Sequence, residues 1–193
     1  MIEKAHFIFI EIGLGKFEDN KLFVDNFNIF KNLNPDIETI LWDEKKIKEL
    51  INKHYKHLKK FYNELPLFYR IDFSRYLILK IYRGIYIDLD CECIKTLDRD
   101  IDYISYWGKK FNNNIISHKD IIIYDKLIEH ALYRYYTCKM PLTWKFRRLE
   151  YSVGAGGMYH SLMKLEKKER TNVYDYFKDF ETKSWLNVGE GVL

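Results

Sequence analysis

Apolar and polar positions along this chain fall into short blocks whose period switches between that of a strand and that of a helix. His6-Phe7-Ile8-Phe9-Ile10 is an unbroken β-branched and aromatic run, the pattern of a buried strand. Asp19 and Asn20 then stand before Leu22, Phe23, Phe27 and Phe30, which are near helical spacing, and can cap a helix there. Asn34-Pro35-Asp36 is a turn signal, residues 37–42 read as a second strand, and Asp43 caps a lysine-rich helix reaching to about Phe61. Pro66 stops the chain before another helix, about residues 68–83, in which Phe73, Leu77 and Ile81 form an i, i+4 stripe facing the core. Gly84 suits the end of that helix. A short strand, Ile85-Tyr86-Ile87, follows and leads directly into Asp88-Leu89-Asp90. Residues 103–107 and 115–118 read as further strands and 121–136 as a helix, with helical pieces around 144–151, 159–168 and 173–180. Strand, helix, strand, helix is the pattern of an α/β fold with a mostly parallel sheet covered by helices, here one domain over residues 1–193.

Composition narrows the functional classes. A hydrophobic fraction of 47% beside a charged fraction of 31% excludes a disordered chain, and no apolar run approaches the ~20 residues of a membrane span. The net charge of +4 is too mild for a nucleic-acid binder, which needs a clear basic excess on one face. Cys91, Cys93 and Cys138 are too few and too oddly spaced for a disulfide framework or a zinc site. Free thiols and no signal peptide predict a reducing, cytoplasmic setting.

The chemistry centres on Asp88 and Asp90. In an extended chain residues i and i+2 point the same way, so these two carboxylates are expected to aim at one point while Leu89 faces the core. The carboxyl end of a strand in an α/β sheet is where ligands collect. Two like charges this close favour a bound cation, and hard oxygen ligands suit Mg²⁺ or Mn²⁺, whose remaining ligands commonly come from phosphates. Asp72 and Arg75 lie one helical turn apart, on one face, where they otherwise read as a surface ion pair. His6 reads as a strand histidine bonded to backbone, and His54 and His57 as parts of a solvated helix face.

The segment Tyr69-Arg-Ile-Asp72-Phe-Ser-Arg75, continuing through Tyr82-Arg83-Gly84-Ile-Tyr86-Ile-Asp88-Leu-Asp90, resembles the DxD region of retaining glycosyltransferases. It is most similar to the yeast initiating α-1,6-mannosyltransferase and bacterial capsular polysaccharide type (glycosyltransferase family 32), and to the glucosylating domain of clostridial toxins. Their pattern is D-x-x-R on a helix, then Y-G-G-I-Y-x-D-x-D; here Arg83 replaces the first glycine. The opening strand is similar to I-H-x-x-W with Phe9 for Trp, Val153-Gly154-Ala155-Gly156 resembles a T-G-P-G loop with Ala155 for Pro, and Ser184-Trp185 resembles a terminal Ser-Trp motif. The match touches residues 6–185 and is specific over 69–98.

The resemblance implies a GT-A type Rossmann-like domain that moves a sugar, with retention, from a nucleotide-diphosphate sugar to a glycan, lipid or protein acceptor, with a UDP-sugar favoured. It implies Mn²⁺ or Mg²⁺ on Asp90, with Asp88 assisting or contacting the ribose, and Ser184 and Trp185 closing over diphosphate and metal. Arg75 would bond donor phosphate or sugar hydroxyls, Asp72 would hold sugar hydroxyls, and Asn114 would sit near the sugar. Phe9 would stack on the base, Tyr86 would pack on base or ribose, and Gly154 would lie in a donor-binding loop. For this fold 193 residues is short, so acceptor-recognition insertions are expected to be minimal or supplied by a partner. Two other functions stay open. One is a binding module of the same fold without turnover, for which Arg83 and Ala155 are the departures. The other is peripheral membrane contact through the basic helix that carries Lys45, Lys46, Lys48, Lys53, Lys56, Lys59 and Lys60.

Overall fold

A computed structural model of the chain describes residues 1–11, 15–107, 110–137, 145–162 and 172–180. Its main sheet contains β1 (Lys4–Ile8), β2 (Glu38–Trp42), β3 (Ile85–Ile87), β5 (Tyr103–Trp107) and β6 (Lys110–Ser117), in the order β2-β1-β3-β6-β5. β1 pairs in parallel with β2 and with β3, β6 runs against β3, and β5 runs against β6. Four strands therefore point one way and β6 alone is reversed, so the sheet is mostly parallel, as the alternating pattern predicts. A second, two-stranded sheet joins β4 (Cys91–Cys93) to β7 (Phe177–Asp179).

The helices are α1 (Lys21–Leu33), α2 (Glu44–His54), α3 (Lys59–Glu64), α4 (Leu67–Tyr82), α5 (Ile122–Thr137), α6 (Lys145–Ser152) and α7 (Ala155–Leu162). Strand residues alternate between two apolar layers, following the period of two. Ile8, Tyr86 and Ile116 join the layer under α2 to α7. Phe7, Ile85, Ile87 and Ile115 join the layer that holds Phe30 of α1, Cys91, Cys93 and Phe177.

α4 differs from its expected one-sided stripe. Asp72 through Leu79 are buried without a break, while Ile81 is 37% exposed. The enclosure covers Asp72–Leu79 only; Phe73 and Leu77 of the expected stripe are buried, but the last turn of the helix emerges from the core and Ile81 lies on it. The lysine-rich helix is also not continuous to Phe61. It breaks at buried Tyr55, whose hydroxyl donates to the Leu77 carbonyl at 3.2 Å, and a turn at Lys56–Leu58 leads into α3. Ile47, Leu50, Ile51 and Leu58 are buried, while the seven lysines, His54 and His57 are exposed. Of residues 173–180, only Val173–Asp175 are helical, as a single 3-10 turn, and the rest of the expected helix is replaced by a strand. That strand, β7, supplies the pairing that β4 requires. No described helix is long and apolar enough to cross a membrane.

His6 is fully buried and bonded as a strand histidine. Trp42 Nε1–H donates to its Nδ1 at 3.1 Å, so its Nε2 carries the proton and donates to the Arg83 carbonyl at 2.7 Å. Burial lowers its pKa to about 4.

Candidate functional site

β3 ends at Ile87 and the chain turns at once. Cys91 N–H donates to the Asp88 carbonyl at 3.0 Å, closing Asp88-Leu89-Asp90-Cys91 into a tight turn. The expectation of an extended acidic pair is thereby corrected. Leu89 is anchored in the core, and its carbonyl accepts from Asn26 Nδ2 at 2.9 Å. Cys91 must then start β4, so the chain cannot stay extended. Asp88 N–H donates to the Asn114 carbonyl at 2.8 Å, and the Asp90 carbonyl accepts from Phe180 N–H at 3.1 Å. As a result Asp88 turns toward α4 and Asp90 toward the β4–β7 ribbon.

On the α4 side, Arg75 is the centre. Its Nη2 lies 2.8 Å from Asp72 Oδ1 and 3.4 Å from Asp88 Oδ1, and Nη1 donates to the Asn113 carbonyl. The guanidinium sits 4.5 Å from the centre of the Tyr86 ring, and the Tyr86 hydroxyl donates to Asp88. Asn113 Nδ2 donates to Asp72 at 3.0 Å. Asp72 and Arg75 are nearly closed to solvent, so they form a buried pair and not the surface pair that spacing alone allows. Arg75 Nε is buried without a hydrogen-bond partner. Burial pushes Asp72 up to about 7 against the pull of Arg75, with Glu150 and Asp88 adding repulsion. Burial likewise raises Asp88 to about 6, opposed by Arg75 and reinforced by Asp90. Burial works against the charge on Arg75, but Asp88, Tyr86 and Asp72 outweigh it and raise its pKa.

On the other side, the ligand atoms of Asp90, Cys91 and Asp179 all lie within 4.8 Å of one another. Asn114 Nδ2 donates to Asp179 Oδ2 at 2.6 Å. Two carboxylates in reach of one point suit a hard divalent cation that takes its other ligands from a bound diphosphate. Asp88, expected to share the metal with Asp90, is instead engaged with Arg75 and Tyr86.

A bulge in β6 separates the two clusters. Ile104 pairs with Ile116 and Tyr106 with Phe111, so β6 carries extra residues opposite Ser105. The Ser105 hydroxyl sits in the bulge, 3.0 Å from the Asn112 carbonyl, bonded to Asn114 Oδ1, and 3.4 Å from Ile115 N–H. Asn113 and Asn114 consequently point to opposite faces, one to Asp72 and the other to Asp179.

The remaining expected residues have these positions. Asn114 is not beside the Asp72 cluster; Asn113 is. Tyr86 is 1% exposed under Arg75, which leaves no face for a base or ribose. Phe9 is buried edge-on to Phe17 and Phe23, and it borders a cleft of about 570 Å³ with Ile10, Lys16, Leu41 and Lys46. Gly154 ends the turn before α7, so the expected loop becomes a helix start. A Cβ there would lie 2.4 Å from Glu150 Oε2, and Glu150 Oε1 accepts from Gly156 N–H at 3.0 Å. Ser184, Trp185 and Cys138 lie outside the described residues. Sequence reasoning missed Asn113, Glu150 and Asp179. Nothing in the local pattern marks the first two, and Asp179 lay in a segment read as helix.

The fold and the acidic turn define a Rossmann-like domain of the GT-A type. A solved structure titled PaToxG Glycosyltransferase superposes with a TM-score of 0.60 at 17% identity, covering 85% of this chain and 69% of that one, and this likeness is one of fold. The family described as "Glycosyltransferase sugar-binding region containing DXD motif" matches residues 21–122, and the chain belongs to it. Inositol phosphoceramide mannosyltransferase 3 of Schizosaccharomyces pombe is 36% identical over 88 residues, 45% of this chain and 24% of that protein. Inositol phosphoceramide mannosyltransferase 2 of the same yeast is 27% identical over 183 residues, 84% of this chain and 53% of that protein. The chain thus spans about half the length of the second relative and a quarter of the first.

Proposed function

We propose that the chain transfers a sugar from a nucleotide-diphosphate donor to an acceptor, using Mn²⁺ or Mg²⁺ held by Asp90 and Asp179. One observation carries the reading. Among the described residues, one buried guanidinium, Arg75, stands among the carboxylates of Asp72, Asp88, Asp90, Glu150 and Asp179 at the carboxyl edge of the sheet. Such an excess of negative charge favours a cation, and the same groups suit a polyhydroxylated ligand. When bound, the cation supplies Lewis-acid neutralisation of the departing diphosphate. Asp72 and Asn113 accept and donate hydrogen bonds to sugar hydroxyls, and Arg75 Nε is the donor left over for the ligand. Tyr86 and Arg75 fix the orientation of Asp88. The cleft beside Phe9 takes the base, while Gly154, Ser184 and Trp185 keep the donor-side roles that the family resemblance assigns.

Retention and a UDP- or mannose-bearing donor are parts of the same proposal. The relatives' names favour mannose and a phosphoinositol lipid acceptor, with glycan and protein acceptors as the alternatives and polysaccharide assembly as a setting. The exposed lysines of α2 and α3 suit peripheral contact with an anionic lipid surface. The buried free thiols Cys91 and Cys93 fit a cytoplasmic, reducing compartment. The test is a donor-hydrolysis screen across UDP- and GDP-sugars with Mn²⁺ and Mg²⁺. Asp90→Ala should lose about a hundredfold or more in rate; equal rates for variant and wild type refute the assignment.

A further inference from the structure

The candidate cation site contains one atom that hard-cation chemistry does not need, Cys91 Sγ. It shares the 4.8 Å cluster with the carboxylates of Asp90 and Asp179. Cys91 and Asp179 are direct cross-strand partners in the β4–β7 ladder, so their side chains leave the same face. The amide of Asn114 addresses both. Its Oδ1 is taken by the Ser105 hydroxyl, which turns Nδ2 toward Asp179 Oδ2 at 2.6 Å and Cys91 Sγ at 3.7 Å. A donor held against two neighbouring ligand atoms orients both, the arrangement that outer partners provide around metal ligands. Cys93 Sγ also accepts from an amide, Asn34 Nδ2 at 3.6 Å, but its thiol donates to the Lys95 carbonyl at 3.1 Å and its cross-strand partner is the apolar Phe177. Mg²⁺ and Mn²⁺ prefer oxygen, whereas thiolates select softer ions.

We infer that Cys91 makes this a site that thiophilic divalent cations, Zn²⁺ and Cd²⁺, occupy through two carboxylates and one thiolate, displacing the hard cation. The inference rests on the proposed function for the existence of a cation site, and it adds a regulation of that site: thiophilic ions inhibit it. On binding, the S–H bond breaks, its proton passes to solvent, and the sulfur electron pair forms the bond to the ion. One proton leaves per ion and nothing is oxidised or reduced.

The experiment titrates Cd²⁺ into the full chain after metal removal, following the ultraviolet thiolate-to-cadmium charge-transfer band and proton release in weak buffer. Wild type should give a band that saturates at one ion per chain with one proton released. Cys91→Ser should lose the band and bind Cd²⁺ about tenfold or more weakly, whereas Cys93→Ser should keep both. An unchanged band in Cys91→Ser overturns the inference. Should Cys91→Ser not fold, Asp179→Asn leaves the thiol in place and removes one carboxylate. Its Cd²⁺ affinity should also fall about tenfold or more, and an unchanged affinity overturns the inference. Mn²⁺ binding, read separately from water-proton relaxation, distinguishes the two failures. Mn²⁺ bound by wild type with no Cd²⁺ band overturns this inference alone. Neither ion bound overturns the proposed cation site with it.

Discussion

Arg83 is the sharpest test of how the acidic turn is supported. It ends α4 at φ 56°, ψ −164°, a region that essentially only glycine occupies, and among the described residues it is the one non-glycine with positive φ. Holding an arginine there costs on the order of 1–3 kcal/mol. Three contacts enforce it. Arg83 N–H closes the last helical turn onto Leu79 at 3.0 Å, His6 Nε2–H holds the Arg83 carbonyl at 2.7 Å, and Gly84 at φ 93° is pressed against the Lys4 backbone. The Arg83 side chain is exposed, so Arg83→Gly removes strain without removing a core contact. Glycine also gives the unfolded chain more freedom, worth roughly 0.5–1 kcal/mol in the other direction. The net expectation is a gain of about 1 kcal/mol, or roughly 2–4 °C in Tm for a chain of this size. Urea unfolding and thermal melts of wild type and Arg83→Gly at neutral pH read it directly. A variant that is no more stable refutes the strain argument. The neighbouring position should behave in the opposite sense. A Cβ on Gly84 would lie 2.1 Å from the Lys4 carbonyl oxygen, so Gly84→Ala should lose about 3 kcal/mol.

Other outcomes follow from buried groups. Folding lowers the His6 pKa from 6.5 to about 4, so the unfolded chain binds more protons between those values. That stabilisation is complete above pH 6.5 and is lost as pH falls to 4, about 3 kcal/mol in all. Asp72, raised from 3.8 to about 7, has the opposite slope, its contribution being full below pH 3.8 and lost as pH rises through 7. The informative quantity is therefore wild type minus His6→Gln, which should shrink from pH 6.5 to 4; parallel curves sink the assignment. Arg75→Ala leaves Asp72 and Asp88 without their shared cation and should cost about 3–5 kcal/mol in urea unfolding; a cost below about 1 kcal/mol contradicts a buried network. Ser105→Ala empties the bulge of its hydroxyl and should destabilise by about 1–3 kcal/mol while reducing donor turnover. Normal stability and turnover together contradict the role given to the bulge.

How much of this was legible beforehand depends on whether a feature is local. The strand at His6–Ile10, the cap at Asp43, the break at Pro66 and the run into Asp88 are written in neighbouring residues, and the structure bears them out with shifts of a few positions. The burial of Asp72 and Arg75 was not legible. Their spacing says only that they share a helix face, and what covers that face is Asn113, 38 positions beyond Arg75. β7 was unreadable for a related reason. Val173, Phe177 and Phe180 have helical spacing, and only the unpaired edge of β4 turns that stretch into a strand.

The bulge in β6 decides the most for the site. Strict alternation would put Asn113 on the face of Ile115 and Asn114 on the face of Ile116. The inserted residues reverse this, sending Asn113 to the α4 side and Asn114 to the ribbon side. One short Asn-rich run thereby serves both halves of the site, the Asp72–Arg75 pair through one amide and the Asp179–Cys91 edge through the next. The backbone completes the connection, since the Asn114 carbonyl holds Asp88 N–H and the Asn113 carbonyl receives Arg75. A shift of β6 by one residue would exchange the two amides, leave Asp72 without its donor, and remove the group that orients both protein ligands beside Asp90. The placement of these side chains thus depends on Ser105 filling the bulge more than on any property of the acidic motif itself.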